Sequence, residues 1–515
     1  MTAMTTRRQF LGLTAGATAG LVGLGRTRFL GDGLAPAGRS STAGTQARLT
    51  AATTAPTTEV NRFFSRPDLH PPRISATRAA SSFTVGGPGG RFLLITPNRS
   101  KGAAAGGQSG LMVLDGDVRM RWFLPTENAP FDLQCQFYKG KQVLTWWQGV
   151  VTNGTGKGEA VLADMSFNQM ARLSVVGGLT PDLHELTLTT EGTALMTSYH
   201  TEAANLSSVG GPRNGYVLAS AAMEVDVATG KLLQSWESLD HVAISATYQK
   251  FSGGTKEQPF DYFHINSIAV APDGDLIISS RNTWCVYKVS RTSGEVIWRL
   301  NGKNSDFAMG EGTQFYWQHH VRPHGNGVFT VFDDGAAPAE ETVSRGLVLN
   351  VDETAVTCTL ERSVSHPGVL AVAEGSVQLL GDGGILVGFG AEPYFSRFSA
   401  RGEILVDGHL PTDVTSYRAF VADFAAEPTG KPAVAVGSAA NGSHIAYVSW
   451  NGATEVVAWR VFAGATSSAL SAAATADWAD FETAVTVNNA GPYFQVAALD
   501  KAGRELGSSD MVKAS

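Results

Sequence analysis

Three histidines stand at nearly the same place relative to a hairpin pattern in three consecutive stretches of the chain: His184 before ELTLTTEG, His264 before INSIAVAPDG and His319 before HVRPHGNG. Arg281 closes the second of these hairpins in the phrase IISSRNTW. Asn266 follows His264 by two residues, the strand period that sets two side chains on one face. Neutral imidazoles, a fixed cation and an amide are what a site needs to hold an oxyanion and move its protons, and carboxylates are less prominent in the set. The same imidazoles also suit a three-histidine metal site with an open position for water. Against that, Arg281 would bring a positive charge beside the metal, and no H-x-H or H-E-x-x-H spacing fixes two ligands on one element. His320 directly follows His319, and strand alternation lets only one of the two face a common cavity. Glu185 is placed to alter the basicity of His184. His324, Asp333, Asp334 and His366 read as turn or solvent residues.

The elements that must position these residues repeat. A short β-type run, a polar turn and a second apolar run recur in LMVLDGDVRMRWFL, AVLADMSFNQMARLSV, MEVDVATGKLLQSW, VYKVSRTSGEVIWRL, LVLNVDETAVTCTL and YFSRFSARGEILVDG. Their turns fall near Asp115, Asp164, Asp226, Ser290, Asp352 and Ser399, spaced by roughly 47 to 64 residues, which suits four-stranded propeller blades with variable loops. The histidine-bearing stretches supply second hairpins between them. The expected fold is all-β: a six-bladed propeller over 61–430, in which residues entering the innermost strands of adjacent blades point at one cavity. From about Pro432 the register changes, and 431–515 reads as a fibronectin type III-like sandwich with Trp450, Trp459 and the Tyr493, Gln495, Ala497 run as core and face residues. Trp146, Trp147, Trp317, Tyr394 and Phe395 read as packing aromatics.

Composition narrows the partners. The 515 residues are 43% hydrophobic and 17% charged with 58 glycines and 21 prolines, the mix of a turn-rich β protein. A net charge of -7 offers no electrostatic footprint for nucleic acid or anionic membranes, which leaves small molecules as the expected ligands. Cys135, Cys285 and Cys358 are too few for a disulfide framework or a thiolate zinc site and read as buried thiols, with room for one bridge. The N-terminal TTRRQFLGLTAGATAGLVGLG is a twin-arginine export pattern, so 1–37 reads as a signal peptide and 38–60 as a flexible linker. No later stretch is apolar enough for a membrane span, so the mature protein is expected outside the cytoplasm, having used the Tat translocase, as a secreted, cell-wall or periplasmic protein.

At HEL, DYFHINSI, IISSRNT, EVIWRLNGKNSDF and FYWQHH the chain resembles the arylsulfotransferase-like family of bacterial arylsulfate sulfotransferases, in the branch seen in actinomycetes and fungi, over about Phe92 to Tyr417. The resemblance implies transfer of a sulfuryl group from an aryl sulfate donor to a phenolic acceptor by a ping-pong route, with no cofactor and no PAPS. It implies a sulfohistidine at His319, sulfate-oxygen binding by His264 and Arg281 with Asn266 as their neighbour, and an acid/base or leaving-oxygen contact at His184. The longer classical enzymes of the family carry their extra β domain before the propeller, whereas the sandwich here follows it. Two other classes stay open on the residues alone: a non-catalytic propeller that binds a ligand or partner, and a three-histidine metal-dependent hydrolase or lyase.

Overall fold

The computed structural model describes residues 59–78, 85, 91–99, 107–439, 442–488 and 491–514. The twin-arginine segment and the linker up to Thr58 lie outside them. Glu59 and Val60 are already tied to the fold through Arg73 and Pro72, slightly ahead of the expected start at Asn61.

Six antiparallel meanders follow one another, and the first strands of the six are β1 (Ala129–Tyr138), β2 (Leu186–Leu188), β3 (Ile265–Val270), β4 (His319–Gly325), β5 (Ser376–Leu379) and β6 (Val414–Ala422). Each begins a run of at least four hydrogen-bonded strands. Neighbouring first strands lie against one another, β1 on β2, β3 on β4, β4 on β5, β5 on β6, and β6 back on β1; the long strand Thr193–Ala204 of the second sheet bridges to β3. The sixth sheet is shared between the ends of this region: β6 pairs with Phe92–Arg99 in the register Phe92 to Ala422, and Gly110–Asp115 and Met120–Pro125 complete it. That pairing leaves no open edge between the first and last meanders.

The repeated turn residues have a common cause. Asp115, Asp164 and Asp352 each accept backbone N–H groups two to four residues ahead, the Asx arrangement that nucleates a tight turn between the third and fourth strands. Between sheets, apolar faces meet: Leu93, Ile95, Phe395 and Val406 pack between the fifth and sixth, and Ile277, Val286, Val331 and Leu347 between the third and fourth. Truncating one of these to alanine costs about 2–5 kcal/mol.

From Ala433 two further sheets form, one ordered Ala433–Ser438, His444–Ser449, Thr483–Val487, the other centred on Ala458–Gly464 and Tyr493–Leu499. Trp459 is fully buried between them. This pair docks on the outer strand of the sixth meander: Asn451 exchanges two hydrogen bonds with the Phe123 backbone, and the Arg121 guanidinium lies 3.4 Å from the centroid of the Trp478 ring. All three cysteines are free. Among the described residues no helix is long and apolar enough to cross a membrane.

Candidate active site

His184, His264 and His319 converge where the chain enters β2, β3 and β4. The His184 ring lies 4.9 Å from that of His264, edge to face, and 6.4 Å from that of His319, nearly parallel. Residues separated by 80 and 55 positions meet because each ends a loop at the same point of its sheet.

Each imidazole is held by a carboxylate. Asp182 meets His184 Nδ1 at 2.5 Å, Asp261 meets His264 Nδ1 at 2.5 Å, and Asp334 meets His319 Nδ1 at 2.8 Å. A carboxylate on Nδ1 fixes the tautomer and turns Nε2 toward the reacting centre. Burial pushes the Asp182 carboxyl up, but His184 and hydrogen bonds from the Gly156 and His184 backbone outweigh it, so the carboxyl sits below its ordinary range and stays ionised. Burial holds His184 below the ordinary imidazole value despite Asp182. His319 is held well below that value by burial, then by Arg281 and the two other imidazoles, and is therefore neutral. Its Nε2 accepts the Glu374 N–H at 3.4 Å, which leaves the ring proton on Nδ1, facing Asp334. Burial pushes the Asp334 carboxyl well above its ordinary range against the pull of Arg281, and its second oxygen has no partner.

The expectation that carboxylates are minor here is thus corrected, as is the reading of Asp333 and Asp334 as turn or solvent residues: both are fully buried. Asp333 anchors Arg345 and the Tyr316 N–H. The hairpin explains the placement, since His319 pairs with Phe332 and Asp334, two residues on, meets the imidazole. His324 and His366 are tied to Thr330 and Asp407, away from the cluster.

Arg281 reaches the same place from the other end of its hairpin. Its N–H donates to the His264 carbonyl at 3.0 Å, and its guanidinium donates to the Val372 carbonyl at 3.0 Å and lies 4.9 Å from the Trp317 ring centroid. Asn266 is placed differently from the regular alternation expected of it. His264 has φ +56, the pairing shifts between Ile265 and Ser267, and the buried Asn266 amide donates to the Gln318 carbonyl at 2.6 Å. It straps β3 to the residue just before His319. His319 and His320 part company at a similar irregularity: His320 has φ +48, packs on Phe420 and accepts the Val377 N–H at Nδ1.

Beside the histidines lies an ion network that sequence reasoning missed. Arg418 on β6 pairs with Asp132 on β1 at 2.9 Å, donates to the His184 and Asn266 carbonyls, and approaches Glu185 at 3.5 Å; Arg322 on β4 binds Glu185 at 2.7 Å. Asp132 has φ +57 and sits at a break in register, so a bulge aims it at the hub. Glu185 is therefore a structural partner of two arginines rather than a modulator of His184 alone.

Access is through His264, whose side chain is 12% exposed, and Asp261, 25% exposed. A cavity of about 610 Å³, bordered by Val150, Thr152, Leu218, Pro259 and Asp261, opens beside them. The tip of the hairpin formed by Lys141–Thr152 and Thr155–Ala163 overhangs this mouth: a Cβ at Gly154 would lie 3.8 Å from His264 Cε1. Trp147 and Trp317 are buried packing residues. Among the described residues no group of three or more His, Cys, Asp or Glu side chains is arranged to hold a metal ion.

The profile of the arylsulfotransferase (ASST) family matches residues 134–409, more than half of the chain and every histidine of the cluster. The chain belongs to the arylsulfotransferase family. No curated protein matches it. Among solved structures it is similar to a protein of unknown function from Bacteroides caccae (12% identity, 64% of this chain and 98% of that one, TM-score 0.38). It is also similar to a protein from Lactobacillus plantarum (14%, 78% and 100%, TM-score 0.34) and to a streptogramin B lyase (10%, 72% and 94%, TM-score 0.32). The site of this arylsulfotransferase family member therefore rests on its own geometry.

Proposed function

We propose that this protein transfers a sulfuryl group from an aryl sulfate to a phenolic acceptor without PAPS, in two steps through a sulfohistidine at His319. The observation that carries the reading is the neutral His319 imidazole, its proton held on Nδ1 and its Nε2 lone pair met by the long 3.4 Å contact from the Glu374 N–H, beside Arg281 and two further carboxylate-held imidazoles.

Nε2 attacks sulfur as the aryl oxygen leaves, and the ring gains positive charge. Asp334, whose ionised form burial disfavours, is relieved as that charge develops opposite it, so the pair favours the transition state over the resting state. Arg281 is the donor preset for the sulfuryl oxygens, and the Glu374 N–H at His319 Nε2 can turn to one of them as the N–S bond forms. His264, held at Nδ1 by Asp261, stands beside them. His184, neutral with its Nδ1 proton on Asp182, offers Nε2 as a hydrogen-bond acceptor that orients the incoming phenol. Asn266 serves by fixing the chain at Gln318.

In this reading the six meanders, 61–430, are the blades of a propeller, and 431–515 is a fibronectin type III-like sandwich that braces the seam of the ring. The twin-arginine pattern gives a protein exported by the Tat translocase and acting outside the cytoplasm. The test is to incubate the purified chain with 4-nitrophenyl sulfate and phenol: nitrophenol release should depend on the acceptor, follow ping-pong kinetics, and leave an acid-labile sulfo adduct on His319 in its absence. Turnover without an adduct would rule out the covalent route.

A further inference from the structure

The two-step reaction needs a proton that the three histidines do not supply. A phenolate leaving from sulfur must be protonated unless its substituents stabilise it, and the acceptor phenol must give its proton up. His184 and His319 are both neutral, with their ring protons already committed to Asp182 and Asp334.

Glu374 stands on a segment that touches both Arg281 and His319. It lies in the loop ahead of β5, whose Val372 carbonyl receives the Arg281 guanidinium and whose Glu374 N–H meets His319 Nε2. Its φ is +74, a left-handed conformation that a residue with a side chain rarely adopts. The conformation is held from three sides: Gly375 N–H donates to the Tyr417 carbonyl at 2.9 Å, Ala391 N–H donates to the Ala373 carbonyl at 3.1 Å, and Gly375 is pressed against the Phe332 ring. A backbone forced into this shape puts Glu374 beside the nucleophile.

We propose that Glu374 is the general acid and base of this enzyme, protonating the leaving aryl oxygen in the first step and deprotonating the phenolic acceptor in the second. The inference rests on the sulfuryl-transfer reading above. In the first step the N–S bond to His319 forms, the S–O(aryl) bond breaks with its electron pair going to oxygen, and the Glu374 carboxyl gives that oxygen its proton. In the second, the acceptor O–H passes its proton to the Glu374 carboxylate, the O–S bond forms, and the N–S electron pair returns to Nε2. The enzyme ends as it began.

The surroundings suit the task. The carboxyl is close enough for its charge to be felt by Asp334 and Tyr417, which touch the rings of His319 and His184. Gly390 and Ala391 pack against its loop, Asp334 is the carboxyl that feels it, and Arg281 and His319 meet the backbone of the same loop. Among the described residues no cation or hydrogen-bond donor is spent on its carboxyl, and burial alone pushes it up to about 7, where it can both give and take a proton at neutral pH.

The experiment compares the full-length wild type with Glu374→Gln and Glu374→Asp, using phenyl sulfate and 4-nitrophenyl sulfate as donors across pH 5.5 to 9. Glu374→Gln should lose on the order of 100-fold in kcat/KM with phenyl sulfate, whose leaving group needs the proton, and less than about threefold with 4-nitrophenyl sulfate, whose leaving group does not. The wild-type rate with phenyl sulfate should fall as pH rises past about 7. That limb should vanish in Glu374→Gln and survive, at a lower rate, in Glu374→Asp. An equal loss with both donors and an unchanged pH profile would assign Glu374 a structural role and overturn the proposal. Wild-type protein that releases neither phenol from phenyl sulfate nor 4-nitrophenol from 4-nitrophenyl sulfate would overturn the sulfuryl-transfer reading itself, and this role with it.

Discussion

The imidazoles of His184, His264 and His319 and the ion pairs of Asp132, Glu185, Arg322 and Arg418 share one hub and several of the same backbone segments. In the ion network every charge faces its opposite, and Arg418 also ties down the carbonyls of His184 and Asn266. Its members come from four of the six sheets, so it fixes how the first strands sit around the centre. In the histidine cluster each ring is held at Nδ1 by a carboxylate, and His319 Nε2 has the long 3.4 Å contact from the Glu374 N–H in place of a charged partner. Equal polarity thus serves opposite ends. Complete pairing makes a brace, and deliberately incomplete pairing makes a site.

Substitutions at the two assemblies should therefore fail differently. His319→Ala removes the atom that bonds sulfur, and transfer should drop by on the order of 10⁴-fold or more with loss of the sulfo adduct, while circular dichroism stays that of the folded wild type. A variant that keeps both activity and adduct would move the nucleophile elsewhere. Arg418→Met does the reverse: it strands Asp132 without its cation and leaves Glu185 to Arg322 alone, and urea denaturation should register a loss of about 3–5 kcal/mol. Pairing it with Asp132→Leu should restore much of that stability, because the uncompensated charge is then gone. Arg281→Ala lies between them in size. It should cost roughly 100-fold to 1000-fold in kcat/KM for the aryl sulfate with little shift of the unfolding midpoint, since its guanidinium is a donor waiting for ligand oxygens.

The difference between the two assemblies also explains what the sequence disclosed. The histidines and Arg281 were legible because a repeated fold repeats its positions, and His184, His264 and His319 sit at equivalent hairpin entries. Asp182 and Asp261 were within reach too, lying two and three residues ahead of their histidines, but Asp334 is brought to His319 only by the pairing of His319 with Phe332. The ion network was out of reach. Asp132 and Arg418 are 286 residues apart, and they meet because β6 closes on the strand Phe92–Arg99 rather than continuing outward. Bulges hid more: strand alternation cannot foretell where Asn266 or Asp132 points when the register slips beside each of them.

His320 gives the finest version of the contrast, because it neighbours the nucleophile and shares its burial but ends in packing. Its Nδ1 accepts the Val377 N–H, a bond that an asparagine oxygen can replace. Burial, reinforced by Arg322 and Arg418, holds it well below the ordinary imidazole value, so it is neutral in the folded chain. Below about pH 6.5 the unfolded chain binds a proton at this position that the folded chain refuses, so stability is intact above that pH and declines as the pH falls through it. His184 and His319 act in the same direction. His320→Asn should cost about 1 kcal/mol at neutral pH and leave transfer within about threefold of wild type. Between pH 6 and 5 its unfolding free energy should fall less steeply than that of the wild type, by up to about 1.4 kcal/mol per pH unit, the share of one proton. Denaturation curves collected across that range measure the slope. An unchanged slope would mean that His320 takes up its proton in the fold, and a rate loss rivalling that of His319→Ala would exchange the roles of the two residues.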